Sequence, residues 1–481
     1  MGVVTNNMPD NVKAFCGLAA DSRDVRAGFL FAALPGTKSN GSEFIADAAR
    51  RGAAAVLGPP EAASAAREAN VAFIADRNPR ARLAHMAAEF FGAQPKVVAA
   101  VTGTNGKSSV VEFVRQIWTH MCLCAASMGT VGIVAPSGRT MLAHTTPDPI
   151  TLHRELARLH AEGVEHLALE ASSHGLDQHR LDGVKIAAAA FTNITRDHLD
   201  YHPDFSHYLA AKMRLIDLVQ RGGSVVVNVD AHCAGDFVAA AQGSRHRVVT
   251  VGKKGDDLRL LENVPQLRGQ RLRIEHGGRE YIVTLPLVGG FQASNALVAV
   301  GLCLALGHQV DAVFATLEAL HGAPGRMELV AHAKNGAAIY VDYAHTPDAI
   351  EATLRALRPH VAGKIHIVFG CGGDRDRGKR PLMGEAAARN ADHVIVTDDN
   401  PRSESADAIR REILCECHGA REIADRAEAI HTAIAALAEG DALIIAGKGH
   451  EEGQIVGTDV RPFSDRAVAV AAATSLGGGA A

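Results

Sequence analysis

Thr102-Gly103-Thr104-Asn105-Gly106-Lys107-Ser108-Ser109 stands between an apolar run, Val97 to Val101, and an amphipathic stretch, Val110 to Trp118. Glycines let backbone amides turn inward around phosphate oxygens, a lysine adds a point charge for the outer phosphates, and the hydroxyl beside it can ligate Mg²⁺. Gly103, Thr104, Asn105, Gly106, Lys107, Ser108 and Ser109 are therefore nucleotide-binding candidates, although Val101 occupies the place of the first glycine in the strict pattern. Two further polar clusters follow apolar runs: Leu169-Glu170-Ala171-Ser172-Ser173-His174-Gly175, and Phe191-Thr192-Asn193-Ile194-Thr195-Arg196-Asp197-His198-Leu199-Asp200. Open α/β sheets place ligands at such strand ends. Mg²⁺ prefers oxygen ligands, which suits Glu170 and makes His198 an atypical one. Lys212, on a helical stretch, reads by residue type alone as a solvated surface lysine.

Such groups need a scaffold, and 481 residues predict about three domains. Hydrophobic residues at 47% and charged residues at 21% give each domain a core and exclude global disorder. With 49 Lys+Arg against 53 Asp+Glu, the net charge of −4 counts against a nucleic-acid binder, so cations for an anionic substrate must be local. There is no secretory leader pattern and no apolar run long enough to span a bilayer, so the expected setting is the cytoplasm, without membrane insertion. The eight cysteines form no CxxC pair, and Cys415, Cys417 and His418 lack the paired spacing of a zinc site.

The first ninety or so residues alternate short apolar stretches (Phe29 to Leu34, Ala53 to Leu57, Val71 to Ile74) with Ala-rich helical ones, as in a small α/β module. After Phe91-Gly92-Ala93-Gln94-Pro95, the runs at Val97, Leu167, Ala187 and Ser224 read as parallel strands with crossover helices. Lys253 to Glu280 alternates like an antiparallel insert. Beyond Gly322-Ala323-Pro324-Gly325, the runs Ala338 to Val341, Ile365 to Phe369, His393 to Val396 and Ala442 to Ile445 predict a further open α/β sheet. The glycine-rich end, Gly477 to Ala481, reads as disordered.

Asp21-Ser22-Arg23 with Gly28-Phe29-Leu30-Phe31, the phosphate loop, Thr145-Thr146-Pro147, Glu170 to Gly175, Asn193 to Asp200, Lys212, Gly325-Arg326-Met327-Glu328 and Asp342-Tyr343-Ala344-His345-Thr346-Pro347 occur in that order. In this the chain resembles the Mur ligase family, whose members use ATP to join an amino acid to a UDP-muramyl peptide. The resemblance implies an α/β protein of three domains. They are an N-terminal α/β domain for the UDP-muramyl substrate (1–96), a central P-loop parallel-sheet ATPase domain (97–324), and a C-terminal Rossmann-like domain for the amino acid (325–481).

The resemblance also implies roles. Ser22 goes to the UDP end, and Thr145, Thr146, Ser172, Gln178 and Arg180 to the sugar and peptide. Caps and turns are the plainer reading of such hydroxyls. Asn295 is placed near adenine and Arg326 at the domain junction, while Gln292, which replaces the usual Asn, stays outside the site. Lys212 is implied to be carbamylated by CO₂, becoming an anion that shares Mg²⁺ with Ser108, Glu170 and His198. Lys107, Glu170, His198 and Lys212 form the implied catalytic group.

Asp398-Asp399-Asn400-Pro401-Arg402 carries the choice of amino acid. In family members that add meso-diaminopimelate, this arginine grips the distal carboxylate; lysine-adding relatives lack it. A guanidinium binds a carboxylate bidentately, and a lysine substrate would leave it unpaired. Arg375, Gly447 and Glu451 complete the implied contacts, the carboxylate suiting an ammonium; without the resemblance, Arg375 to Arg380 reads as a solvated charged loop.

The expected reaction is ATP-dependent addition of meso-diaminopimelate to UDP-N-acetylmuramoyl-L-alanyl-D-glutamate through an acyl phosphate, in peptidoglycan precursor synthesis, by a monomer. His198 and His345 stand as alternatives for the general base. The rival readings are a lysine-adding ligase, a folylpolyglutamate synthase-like ligase, and a nucleotide-binding regulator with no need of Lys212 or Arg402.

Overall fold

The computed structural model describes residues 12–36, 40–195 and 201–481. The chain forms two compact units. One takes the chain up to Lys107, then Trp118–Val227 and Ala231–Val249; the other takes Ser108–Ile117, Asn228–Asp230 and Thr250–Ala481.

The first unit opens with four parallel strands in sequence order, Gly17–Ala19, Phe29–Ala32, Ala55–Gly58 and Ala72–Ala75. Side chains alternate across a strand, so neighbouring residues serve opposite cores. Leu30 and Leu57 pack with Leu83, Met86 and Ala87, while Phe31 and Val56 pack with Ile45 and Ala66. Helix Pro79–Phe91 starts where the Asn78 side chain accepts the Ala81 N–H and ends at Gly92, whose φ of 74° a side chain would strain.

The same unit holds, up to Val227, the larger parallel sheet, in the order Val219–Asn228, Ile186–Phe191, Val97–Thr102, His166–Glu170 and Ala125–Gly129. Gly132–Ala135 and Gly138–Thr140 extend it antiparallel. Its near-continuous apolar strands suit a sheet covered on both faces. Val101 lies opposite Glu170, and Thr102 opposite Phe191, so three polar segments leave the carboxyl ends of adjacent strands.

In the second unit, Leu258–Gln266, Gly269–His276 and Arg279–Leu285 form the expected antiparallel insert. The C-terminal sheet runs Arg421–Glu422, His393–Val396, Ile365–Phe369, Ala442–Ala446 and Ala338–Asp342, all parallel, with Glu328–His332 antiparallel beyond. Ile365, Ile367 and Ile444 line one core and Val368, Leu443 and Ile445 the other, as a doubly wound sheet requires. The glycine-rich end departs from expectation. Gly479–Ala480 pairs with Ala331 and His332 as an edge strand. A Cβ on Gly478 would fall 2.2 Å from His332 O, so glycine here permits a close backbone approach. Among the described residues no helix is long and apolar enough to cross a membrane.

Candidate active site

The phosphate loop is held in shape by the segment that ends the neighbouring strand. Asn193 Oδ1 accepts the Asn105 N–H at 3.0 Å, Asn193 Nδ2 donates to Asn105 O at 3.1 Å, and Thr192 Oγ1 donates to the same carbonyl at 2.6 Å. Thr104 N donates to Asn193 O, and Thr104 Oγ1 accepts the Thr195 N–H at 3.0 Å. Gly103 has φ 146°, and a Cβ there would lie 1.9 Å from Thr192 Oγ1, so this position admits only glycine. Gly106 has φ 86°. Ser108 and Ser109 are buried at the start of helix Lys107–His120, whose N-terminus favours an anion.

Two lysines converge beneath this loop. Lys107 Nζ donates to Gly103 O at 3.0 Å and Thr104 O at 2.8 Å; Lys212 Nζ donates to Gly103 O at 2.7 Å. Lys212 is 1% exposed and lies 4.6 Å from the Tyr208 ring, so the surface reading of this residue is wrong. Helix Phe205–Asp217 buries Tyr208, Ala211, Lys212, Leu215 and Ile216 on one stripe, and the lysine is part of that stripe.

Glu170 ends its strand buried, its Oε1 accepting the Thr130 N–H at 2.8 Å and Oε2 the Thr130 hydroxyl at 3.1 Å. Gly129 leaves room for that carboxylate, since a Cβ there would lie 2.2 Å from Glu170 Oε1. His198 lies outside the described residues.

The residues expected to meet the muramyl peptide are largely engaged with one another. Thr145 Oγ1 lies 3.0 Å from Thr130 Oγ1. Thr146 Oγ1 donates to Glu170 O and accepts the Ser172 N–H. Ser172 Oγ caps helix Ser173–Asp177 by accepting the Gly175 N–H at 3.0 Å, the plainer reading of this residue. Arg180 donates to Thr146 O at 2.6 Å and to Gln178 Oε1 at 2.8 Å, and burial lowers its pKa from the usual value. Gln178 Nε2 donates in turn to Tyr201 OH. Ser22 is buried on a short 3₁₀ turn capped by Asp21, whose bonds with Arg23 hold its carboxyl at about 2.

In the second unit, Asn295 is buried and its Nδ2 donates to Gln292 Oε1 at 3.1 Å. Gln292, set aside on sequence, thus orients the residue that was chosen. The Arg326 guanidinium sits 4.6 Å over the Tyr343 ring. Asp342 joins these segments by accepting the Met327 N–H at 2.7 Å and the Ala344 N–H at 2.8 Å, and burial pushes its carboxyl up.

The carboxyl ends of the C-terminal strands gather the remaining candidates. Arg402 Nη1 donates to Gly373 O at 2.8 Å; a Cβ on Gly372 would lie 2.8 Å from Arg402 Nη1 and 3.9 Å from Arg375 Cγ, so this glycine separates the two arginines. Arg402 has φ 51°, fixed by bonds from its N–H to Ile455 O and from Gly457 N–H to its carbonyl, both on the hairpin Gly453–Val456/Asp459–Pro462. Pro401 backs onto Gly373, where a Cβ would lie 1.9 Å from Pro401 O. Gly447, at φ 111°, clears Asp399, whose Oδ2 would be 2.6 Å from a Cβ there. Asn400 Nδ2 donates to Glu451 Oε2 at 2.9 Å.

Ion pairs built on buried arginines brace this end. Arg380, fully buried, donates to Glu404 at 2.8 Å and Glu412 at 2.7 Å, so the solvated-loop reading fails for it. Arg426 and Asp465, both fully buried, pair at 2.7 Å, and Arg426 also donates to Ala446 O. Arg410 bridges Asp398 and Glu422.

Asn193 stands in the strand-end cluster without an expected role, and Tyr208 and Thr130 are absent from the expected site. Asn193 and Tyr208 were accessible from their positions, at a strand end and on a helix stripe. Thr130 had no local signal.

The chain matches the family models described as Mur ligase middle domain over residues 101–303, Mur ligase glutamate ligase domain over 325–449, and Mur ligase family catalytic domain over 15–91. A UDP-N-acetylmuramoyl-L-alanyl-D-glutamate–2,6-diaminopimelate ligase of Bradyrhizobium diazoefficiens is 53% identical over 464 residues, 95% of each chain. A solved structure of a ligase with that same description aligns with a TM-score of 0.71 at 33% identity, covering 96% of this chain and 95% of the other. A MurF ligase from Thermotoga maritima, solved in complex with ADP, shares the fold with a TM-score of 0.60 at 19% identity, covering 98% of each chain.

Proposed function

The chain belongs to the Mur ligase family, and from that premise we propose that it uses ATP to join meso-2,6-diaminopimelate to the D-Glu side-chain carboxylate of UDP-N-acetylmuramoyl-L-alanyl-D-glutamate, a step of peptidoglycan precursor synthesis. The observation that carries the choice of amino acid is the pair of arginines around Gly372, with the Glu451 carboxylate in the same group of strand-end loops. Cations for carboxylates and an anion for an ammonium complement a zwitterion with one carboxylate more than lysine has.

The phosphate loop and Lys107 receive the nucleotide; Asn295, for adenine, and Arg326 are the further residues assigned to ATP. The D-Glu carboxylate oxygen attacks the γ-phosphorus, the bond to the ADP oxygen breaks, and an acyl phosphate forms. The neutral amine of diaminopimelate then attacks the acyl carbon, its nitrogen gives up a proton, and phosphate leaves as the amide forms. Loop amides and Lys107 offset charge on the transferring group, so catalysis rests on placement and electrostatics. Ser22 serves the UDP end, and Thr145, Thr146, Ser172, Gln178 and Arg180 the muramyl peptide, with Thr146 and Ser172 shaping the pocket through their backbone-directed bonds.

Ser108 and Glu170 present the hard oxygen donors that Mg²⁺ prefers, and Glu170 is held by neutral groups. When bound, Mg²⁺ supplies positive charge to the phosphate oxygens. Two ammonium groups on one carbonyl, Gly103 O, support the carbamate reading of Lys212. A bond from its unprotonated Nζ to the carbon of CO₂, with loss of a proton, would give an anion suited to hold Mg²⁺ with Glu170 and His198. The chain works as a cytoplasmic monomer.

Phosphate release from ATP, measured with the UDP-muramyl dipeptide and either diaminopimelate or lysine, tests the reading. It should require both substrates and prefer diaminopimelate. Turnover that needs neither, or that accepts lysine equally, overturns it.

A further inference from the structure

Lys448 has no role in the reaction as described, yet its side chain is 0% exposed. Its Nζ lies 2.9 Å from Asn400 Oδ1, 3.3 Å from Glu451 Oε2 and 4.0 Å from Asp399 Oδ1. The flanking glycines leave its backbone little latitude. A Cβ on Gly447 would fall 2.6 Å from Asp399 Oδ2, and one on Gly449 2.8 Å from Tyr343 Cβ. Burying an ammonium is costly, and an apolar residue of this length would fill the same space more cheaply. The cation therefore answers to the groups around it.

Those groups are ordered by it. Asn400 Oδ1 accepts from both Lys448 Nζ and the Ile455 N–H, the latter at 2.9 Å, which fixes the sense of the amide. A flipped amide would set its NH₂ against two donors. Nδ2 must then face Glu451, whose Oε2 receives Asn400 and Lys448 together. Glu451 Oε1 has no partner among the described residues.

We propose that Lys448 is a positioning residue for amino-acid recognition: it locks the Asn400 amide and pins Glu451 through Oε2, so that Oε1 is presented to the ammonium of the incoming amino acid. This rests on the reading of these loops as the amino-acid site. Steady-state kinetics on the full chain with Lys448→Met, which keeps length and removes charge, should raise KM for diaminopimelate about tenfold or more, with KM for ATP and for the dipeptide within about twofold. Combined with Glu451→Gln, the double variant should be no more than about twofold worse than Glu451→Gln alone, because both act through one carboxylate. Lys448→Gln reads the same split should the Met variant fail to fold. A diaminopimelate KM within about twofold of wild type, a parallel rise in all three KM values, or additive losses in the double variant overturns the proposal. Failure of the underlying reading shows separately, as wild-type protein whose phosphate release ignores diaminopimelate.

Discussion

The region proposed for the nucleotide and the region proposed for the amino acid are built from different materials. Around the phosphate loop the supports among the described residues are neutral: Asn193 and Thr192 on Asn105, and Thr130 on Glu170. Charge enters through the two lysines that share Gly103 O. Around Asp399 to Arg402 the supports are ionic and built on buried cations, with Arg380 on Glu404 and Glu412, Arg426 on Asp465, and Lys448 between Asn400 and Glu451. Phosphate is gripped by backbone amides, so its loop needs shape more than charge. A small zwitterion is distinguished by where charges stand, so each of those charges must be held by a counter-charge that does not move.

That contrast can be broken in order of effect. Lys212→Ala removes the proposed metal-facing anion, and turnover should fall at least about a thousandfold while thermal unfolding stays close to wild type. Bicarbonate should not restore it, and an active variant would remove the carbamate role. Next, Arg426→Met leaves Asp465 as a lone buried charge and should cost about 3–5 kcal/mol of stability, read by urea unfolding. A loss below about 1 kcal/mol would show the ionic bracing to be incidental.

Arg402→Ala should raise KM for diaminopimelate about ten- to a hundredfold and leave that for ATP nearly unchanged. Equal effects on both would erase the division of labour between the two ends. The smallest signal is the response to acid at two single groups. Buried His153, in the first unit, is held at about 4 against an ordinary 6.5 because burial disfavours its charged form. Below pH 6.5 the unfolded chain takes a proton that the folded one refuses, so this unit loses stability as pH falls from 6.5 towards 4. Glu404, in the second unit, is held at about 2 by its bonds with Arg380, and its contribution is lost only as pH falls from 4.5 towards that value. Hydrogen exchange against pH should show the helix that carries His153 loosening between pH 6.5 and 4, and His153→Gln should flatten that slope.

The phosphate loop was legible because strand, glycine turn and helix are consecutive, and the strand ends were legible because buried parallel strands are apolar throughout. Lys212 was misjudged from residue type although the signal existed: positions 208, 211, 212, 215 and 216 form one helical stripe, and the lysine is on it. Lys448 and Asn400 are different. They are 48 positions apart and meet only because two strand-end turns converge, which no local pattern encodes. The glycine-rich end was misread because glycine marks both disorder and close backbone contact, and only the neighbouring strand decides between them.

Arg402 also narrows the routes by which this chain could change its choice of amino acid. Its backbone sits at φ 51°, held by the hairpin at Ile455 and Gly457, and side chains other than Asn, Asp or Gly adopt that conformation at a cost of about 1 kcal/mol or more. A β-branched replacement would lose the proposed carboxylate grip and strain the turn at once. Mutational drift towards another substrate is thus channelled: Asn, Asp or Gly at this position would abandon the second carboxylate while leaving the turn intact, so selection could act on specificity before it has to repair the fold.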